Sequence, residues 1–271
     1  MHLLLLCYTT GMSKWTSQRK IKIIATFALL LGAIIIFFVV TNIDRTPTCF
    51  DGIQNGDETG VDCGGSCARI CDVDARNIVV AWERPFEVTN NVYNVLAYFE
   101  NQNISAGAAR IPYRFRLYDE RNIIVAEQSG ETFIGPNQTS AIFEGGISTG
   151  NREPAYVFFE FLENPTWYTV DFRWTTPSLI VRDRVFDESR GSPRISATLE
   201  NITLNTIFDI EVIAIAYDSQ DNALHASRTR IDRLEGRSQA PLVFTWPEAF
   251  RSNVARIEII PRINVFSDRN Q

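Results

Sequence analysis

Lysine disappears after Lys22, acidic residues are missing before Asp44, and a single histidine, His225, lies beyond residue 43. Each scarcity closes off some chemistry. The first 43 residues carry +4, and beyond them 22 arginines face 32 acidic residues, giving −10. A region at that charge lacks the basic face that nucleic acid or anionic lipid requires. A Ser-His-Asp site would depend on His225 alone, and no G-x-S-x-G elbow accompanies it. His225 therefore reads as a solvent-facing or hydrogen-bonded side chain. No glycine-rich phosphate loop opens a helix, and nothing in the spacing separates a glycosidase pair from solvated carboxylates. The expectation is a protein without catalytic residues. Why arginine is used to the exclusion of lysine has no physical account in the sequence.

What is present begins with an anchor. Residues 23–40 (IIATFALLLGAIIIFFVV) run 18 residues without a charge. As a helix they span roughly 27 Å, close to the ~30 Å hydrocarbon core of a bilayer. A core helix this apolar on every side does not suit domains this small. The run is too long for a cleaved signal peptide, and the following TNIDRTPT offers no small-x-small cleavage site. Lys14, Arg19, Lys20 and Lys22 all precede it, so the positive-inside rule keeps the N-terminus cytoplasmic. The expected division is a cytoplasmic segment 1–20, a membrane helix 21–43 and everything later outside.

Four of the five cysteines follow within 23 residues, CFDGIQNGDETGVDCGGSCARIC from Cys49 to Cys71. Outside the cytoplasm, Cys49, Cys63, Cys67 and Cys71 are expected to form two disulfides, with three connectivities open. So short and glycine-rich a segment (44–72) buries no core of its own. Zinc is the weaker reading, because C-x3-C-x3-C lacks the usual C-x2-C knuckles. Asp51, Asn55, Asp57 and Asp62, with Gly56 at the turn, match most oxygen-ligand positions of a twelve-residue calcium loop. Ile53 occupies a ligand position and Asp62 replaces the usual Glu, so calcium competes with simple turn formation by Asp-Gly and Asn-Gly pairs. The segment resembles small cysteine-rich repeats of the form CxDGxxNGxExGxDCGGxC in surface and secreted proteins. That resemblance implies an extracellular spacer or interaction module without enzymatic activity.

From Val73 the pattern becomes short alternating β segments divided by Asn, Gly, Pro and Ser. The candidates are 78–82, 94–99, 110–119, 122–128, 140–143, 155–161 and 169–174, which at this spacing predict a β-sandwich. The pattern recurs at an offset of about 100 residues. Ala97-Tyr-Phe-Glu-Asn101 matches Ala197-Thr-Leu-Glu-Asn201, and Leu117-Tyr-Asp119 matches Ala216-Tyr-Asp218. Each copy thus contains a hairpin whose turn starts at Asp. Phe115-Arg-Leu-Tyr-Asp119, with Glu100-Asn101 upstream and Gly135 to Thr139 downstream, resembles the FxLYD-type immunoglobulin-like domain. The second copy keeps Tyr217 and Asp218 but carries Ala214 and Ala216 in place of Phe and Leu. The resemblance implies two tandem immunoglobulin-like sandwiches, 73–174 and 175–267, on a bacterial envelope protein, with the Tyr and Asp structural.

Three acceptor sequons occur, at Asn103, Asn137 and Asn201; the bacterial source that the resemblance implies would make them chance matches. Trp167 and Tyr168 form either an aromatic platform for a sugar or partner, or the closed bottom of a sandwich. The expected whole is all-β after one transmembrane helix, serving adhesion or envelope scaffolding through an unidentified protein or glycan partner. The rivals are an accessory subunit of a secretion, pilus or cell-wall machine, and a cell-wall-acting enzyme.

Overall fold

The computed structural model describes residues 14–41, 48–174, 178–189, 191–267 and 270. The chain divides into two units, Met1–Thr48 and Cys49–Gln271. In the first, α1 runs Lys14–Thr41, a longer helix than the expected 21–43 at its N-terminal end. Residues 42 and 43 lie outside the described residues, as do 1–13. From Arg19 to Phe38 the helix is long and apolar enough to cross a membrane, and Ile24, Phe27, Leu29 and Phe37 are all exposed. Apolar residues around the whole circumference leave no polar face to turn toward water.

The second unit is all-β. Seven strands make up the first copy: β1 (Val79–Thr89), β2 (Val92–Asn101), β3 (Ala106–Tyr118), β4 (Ile124–Ile134), β5 (Gln138–Ser148), β6 (Tyr156–Phe161) and the two-residue β7 (Tyr168–Thr169). Six more make up the second: β8 (Leu179–Asp187), β9 (Arg194–Asn201), β10 (Ile207–Tyr217), β11 (Ala223–Leu234), β12 (Gln239–Thr245) and β13 (Arg256–Arg262). All described pairings are antiparallel. Only the segment 169–174 departs from strand. The Asp171 carboxylate accepts from the Arg173 N–H and its carbonyl from the Trp174 N–H, which winds Phe172–Trp174 into a 3-10 turn.

The repeat holds strand by strand from β1–β6 to β8–β13, with β7 an addition to the first copy. Sheets β1-β2-β5 and β4-β3-β6 form the first sandwich, and β12-β9-β8 and β11-β10-β13 the second, in the same connection order. Each encloses its own core. Val95, Ala97, Phe99, Phe115, Leu117 and Ile142 meet in the first, and Ile195, Leu199, Val212, Ala214, Ala216 and Phe244 in the second.

A third core joins them. Phe86, Leu96, Ala141 and Phe143 from the β1-β2-β5 sheet pack against Ile213, Ile215, Tyr217, Ala223, Ala226 and Ile260 from the β11-β10-β13 sheet. The second unit is therefore four sheets deep. This explains an unbroken run of buried side chains on β10 from Ile210 to Tyr217. A strand covered on one face alternates, whereas one covered on both reads as continuously apolar. In the first copy the same strand alternates, with Arg114 and Arg116 outward and Phe115 and Leu117 inward.

Polar groups pin the three-way packing. Arg262, 3% exposed, pairs with Glu211 and donates to Thr132 Oγ1 (2.7 Å) and the Phe133 carbonyl (3.1 Å) of the first sandwich. Arg228 donates to the other Glu211 oxygen (3.0 Å) and to the Phe143 carbonyl (2.9 Å). Arg84 reaches the Ala223 carbonyl (3.0 Å), and Tyr98 and Tyr217 both donate to Glu258 (2.7 and 2.9 Å). Isolated burial of the Arg262 cation would be prohibitive, and its guanidinium titrates below the usual arginine range because burial disfavours the charge. Such networks fix orientation more than they add stability.

Candidate functional site

The cysteine module holds two disulfides, Cys49–Cys67 and Cys63–Cys71, one of the three open connectivities. Gly60 is placed against the second. A Cβ there would lie 2.8 Å from Cys63 Sγ and 2.9 Å from Cys71 Sγ, closer than such contacts allow. The acidic residues serve the backbone. Asp62 accepts from the N–H groups of Asp51 (2.9 Å) and Gly52 (3.1 Å), closing the two ends of the loop. Asp51 accepts from the Ile53 N–H (3.0 Å) and the Asn55 amide (2.9 Å).

The structure thus brings three of the four sequence-derived calcium ligands, Asp51, Asn55 and Asp62, into one hydrogen-bonded cluster. Asp57 lies apart from that cluster's bonds, accepting from Ser66 Oγ at 2.8 Å. Asn55 Oδ1 is buried with no protein partner. Among the described residues, the donors that approach one another most like a metal set are Cys49, Glu58 and Cys67, and the two sulfurs of that set share a disulfide. That removes them as thiolate ligands.

The module does not stand free of the first sandwich. The Ile70 N–H donates to the Trp167 carbonyl (2.9 Å), the Thr169 N–H to the Ala68 carbonyl (2.8 Å), and Arg69 bridges Tyr168 while β7 pairs with the start of β3. Asn103 completes the join: its Oδ1 accepts from the Arg76 N–H (2.7 Å) and its amide donates to the Arg76 carbonyl (2.8 Å). Trp167, 4% exposed, fills this junction, so of the two aromatics only Tyr168 remains partly open, 6.3 Å from the Phe266 ring. Among the sequons, Asn103 and Asn201 are buried structural amides and Asn137 is exposed.

The repeated Tyr-Asp pairs divide the same way. Asp119 accepts from the N–H groups of Ile123 (3.0 Å) and Arg121 (2.9 Å), which hold its carboxyl below the usual carboxylate range. Asp218 does the same for its turn, with the Asn222 amide as the leading cause, then the Asn222 and Gln220 N–H groups. Tyr118 stacks on Tyr156 at the surface (5.1 Å). Its counterpart Tyr217 lies in the third core under the Arg256 guanidinium (3.7 Å).

His225 sits half-buried and stacked on Phe250, ring centroids 4.2 Å apart. Burial first, then Arg251, pushes its pKa down to about 4, so it is neutral at physiological pH. Its Nδ1 has no protein partner, and no hydrogen bond to a described hydroxyl or carboxylate places it in a catalytic relay.

Two features escaped the sequence. The first is the Arg262–Glu211–Arg228 network. The second is a buried asparagine in each copy. Asn101 donates to the Ala106 (2.8 Å) and Gly135 (2.7 Å) carbonyls and accepts from the Asn103 N–H (3.1 Å), tying the β2–β3 crossover to the β4–β5 turn. Asn201 repeats this with the Asn205, Leu234 and Glu235 carbonyls and the Thr203 N–H. The Ala-x-x-Glu-Asn match was the available signal for both. Compared with models of known protein families and with curated proteins, the chain matches none.

Proposed function

We propose that this chain is a single-pass, membrane-anchored extracytoplasmic protein that acts as a rigid, non-catalytic binding or structural element of a bacterial envelope, its N-terminus cytoplasmic. The third core carries the reading. Two sandwiches joined through Leu96, Phe143, Ile213, Ile215 and Tyr217 hold a fixed mutual geometry, which suits a part that presents surfaces and does not close over a substrate. Lys14, Arg19, Lys20 and Lys22, at the N-terminal end of α1 ahead of its apolar run, and the paired cysteines favour an outward-facing, oxidising compartment for the residues that follow. The FxLYD-like segment lies on β3 and its turn, with Phe115 and Leu117 inward and Asp119 closing the loop. That placement suits the immunoglobulin-like resemblance, in which Tyr and Asp are structural.

Protease added to intact protoplasts is expected to remove residues beyond about 45 while sparing the N-terminus. Protection of the C-terminal region would overturn the topology. Pull-down after membrane solubilisation then separates roles: stable co-purifying membrane proteins identify an accessory subunit of a larger envelope machine, and recovery of the chain alone leaves adhesion or scaffolding.

A further inference from the structure

Val73 (92%), Phe50 (91%), Leu204 (80%) and Ile104 (73%) are the four most exposed large apolar side chains among the described residues beyond α1. Single apolar residues at a surface are ordinary, but these four gather at one end of the second unit. Phe50 lies in the cysteine module and Val73 one residue past it, while Ile104 and Leu204 tip the equivalent β2–β3 and β9–β10 crossovers. The module meets the first crossover through Asn103 and Arg76. The Asn137 N–H then donates to the Asn103 carbonyl (2.8 Å), Asn137 and Ser178 line one cleft between the sandwiches, and the Ile202 N–H donates to the Ser178 carbonyl (3.1 Å). Contacts therefore run unbroken from the module to both crossovers. The Asp119 turn lies at the far end of β3, roughly 40 Å away.

The order of the chain names what covers them. Seven residues, 42–48, separate α1 from Cys49, at most about 28 Å of extended chain. The end that carries the four side chains is thus also the end tethered to the bilayer, where apolar groups settle at the boundary of headgroups and acyl chains. Asp51, Asp72 and Asp74 flank Phe50 and Val73, which disfavours an anionic surface. We propose that this end of the second unit is a bilayer-docking surface, with Phe50, Val73, Ile104 and Leu204 inserted among the headgroups of a neutral, zwitterionic leaflet. The inference rests on the anchored reading above and adds an orientation to it: the crossovers face the membrane and the Asp119 turn points away.

The test places the full chain, methyl-labelled at isoleucine and leucine, in phosphatidylcholine nanodiscs containing a lipid with a nitroxide just below its headgroup. The Ile104 and Leu204 methyl resonances are assigned by their loss in Ile104→Ser and Leu204→Ser. The nitroxide is expected to erase both and to spare the methyl of Ile124, which is also exposed but sits at the Asp119 turn. Phe50→Ser, Val73→Ser and Leu204→Ser together, all at exposed positions outside the three cores, should restore the Ile104 signal. If Ile104 and Leu204 stay sharp while Leu29 and Ile34 of α1 are erased, the anchor stands and the docking surface is overturned. If the α1 methyls stay sharp as well, the anchored reading falls with it. Equal loss at Ile104 and Ile124, or an Ile104 signal still erased in the triple variant, would overturn the proposal too.

Discussion

Replacing Ile213 and Ile215 by arginine would give the second copy the outward pattern that Arg114 and Arg116 give the first. Both isoleucines are fully buried in the third core and neither belongs to the core of its own sandwich. Each loses about 1.5–3 kcal/mol of apolar burial. Each arginine also brings a cation into a space lined by Leu96, Ala141 and Phe143, at several kcal/mol per unpaired ion. The total exceeds about 6 kcal/mol, comparable with the ~5–15 kcal/mol that holds a domain folded. That cost falls between the sandwiches, because once they part the arginines reach water, as Arg114 and Arg116 do. Calorimetry of the full chain should therefore show one cooperative β transition in the wild type and two in the double variant. Amide exchange should accelerate first on β2 and β13, whose faces the separation uncovers. A single transition at the wild-type temperature would refute the claim that the third core couples the sandwiches, and loss of all β-structure would refute the independence of the two inner cores.

Asn101→Leu and Asn201→Leu should each cost about 4 kcal/mol in chemical denaturation, because each strands two or three buried carbonyls and an N–H at ~1–3 kcal/mol apiece; a loss below about 1 kcal/mol would show that water replaces the amide. His225 has a folded pKa of about 4 against an ordinary 6.5, so its contribution is fully present above pH 6.5 and is lost as pH falls toward 4. Discounted for partial exposure, the effect is about 2 kcal/mol, read as the difference in pH-dependent melting between wild type and His225→Phe; parallel curves would dismiss it. In the cysteine module, Gly60→Ala should impede the Cys63–Cys71 bridge, leaving alkylatable thiols in the non-reduced chain, while the β signal in circular dichroism persists. Millimolar calcium should leave the melting temperature unchanged, since Asp51 and Asp62 already serve backbone donors; a rise that Asp57→Ala removes would establish the cage instead.

The strands were legible because each sandwich buries one face of most of them, and alternation such as Tyr113, Phe115, Leu117 survives that geometry. The turns at Asp119 and Asp218 were legible because their chemistry is local. The joining of the two copies was not. Ala214 and Ala216 looked like erosion of the motif, yet they mark a transfer of bulk from the inner face to the outer one, where Ile213 and Ile215 now pack. The cysteines pair over separations of 18 and 8 residues, which spacing alone does not choose among three connectivities, and the attachment of the module through Trp167 depends on a contact with Ile70, about 100 residues away in sequence. Nor did the histidine at position 225 announce its partial burial: it lies on β11, and Phe250, which covers it, arrives from a distant loop.

The sandwiches meet through different sheets, β1-β2-β5 of one against β11-β10-β13 of the other. A contact of this kind has a top and a bottom, and between identical copies it propagates without limit. Here both outward sheets are finished differently. On one, Arg114 and Arg116 are laced to Glu127 and Glu160; on the other, Ser196 and Thr198 stand where the first copy has Leu96 and Tyr98. The two copies are consequently not interchangeable parts. Exchanging them along the chain would turn the greasy faces outward and the ionic ones inward, converting a bounded pair into the seed of a fibre. Duplication supplied the pieces, and divergence at a handful of equivalent positions decides where the stack stops.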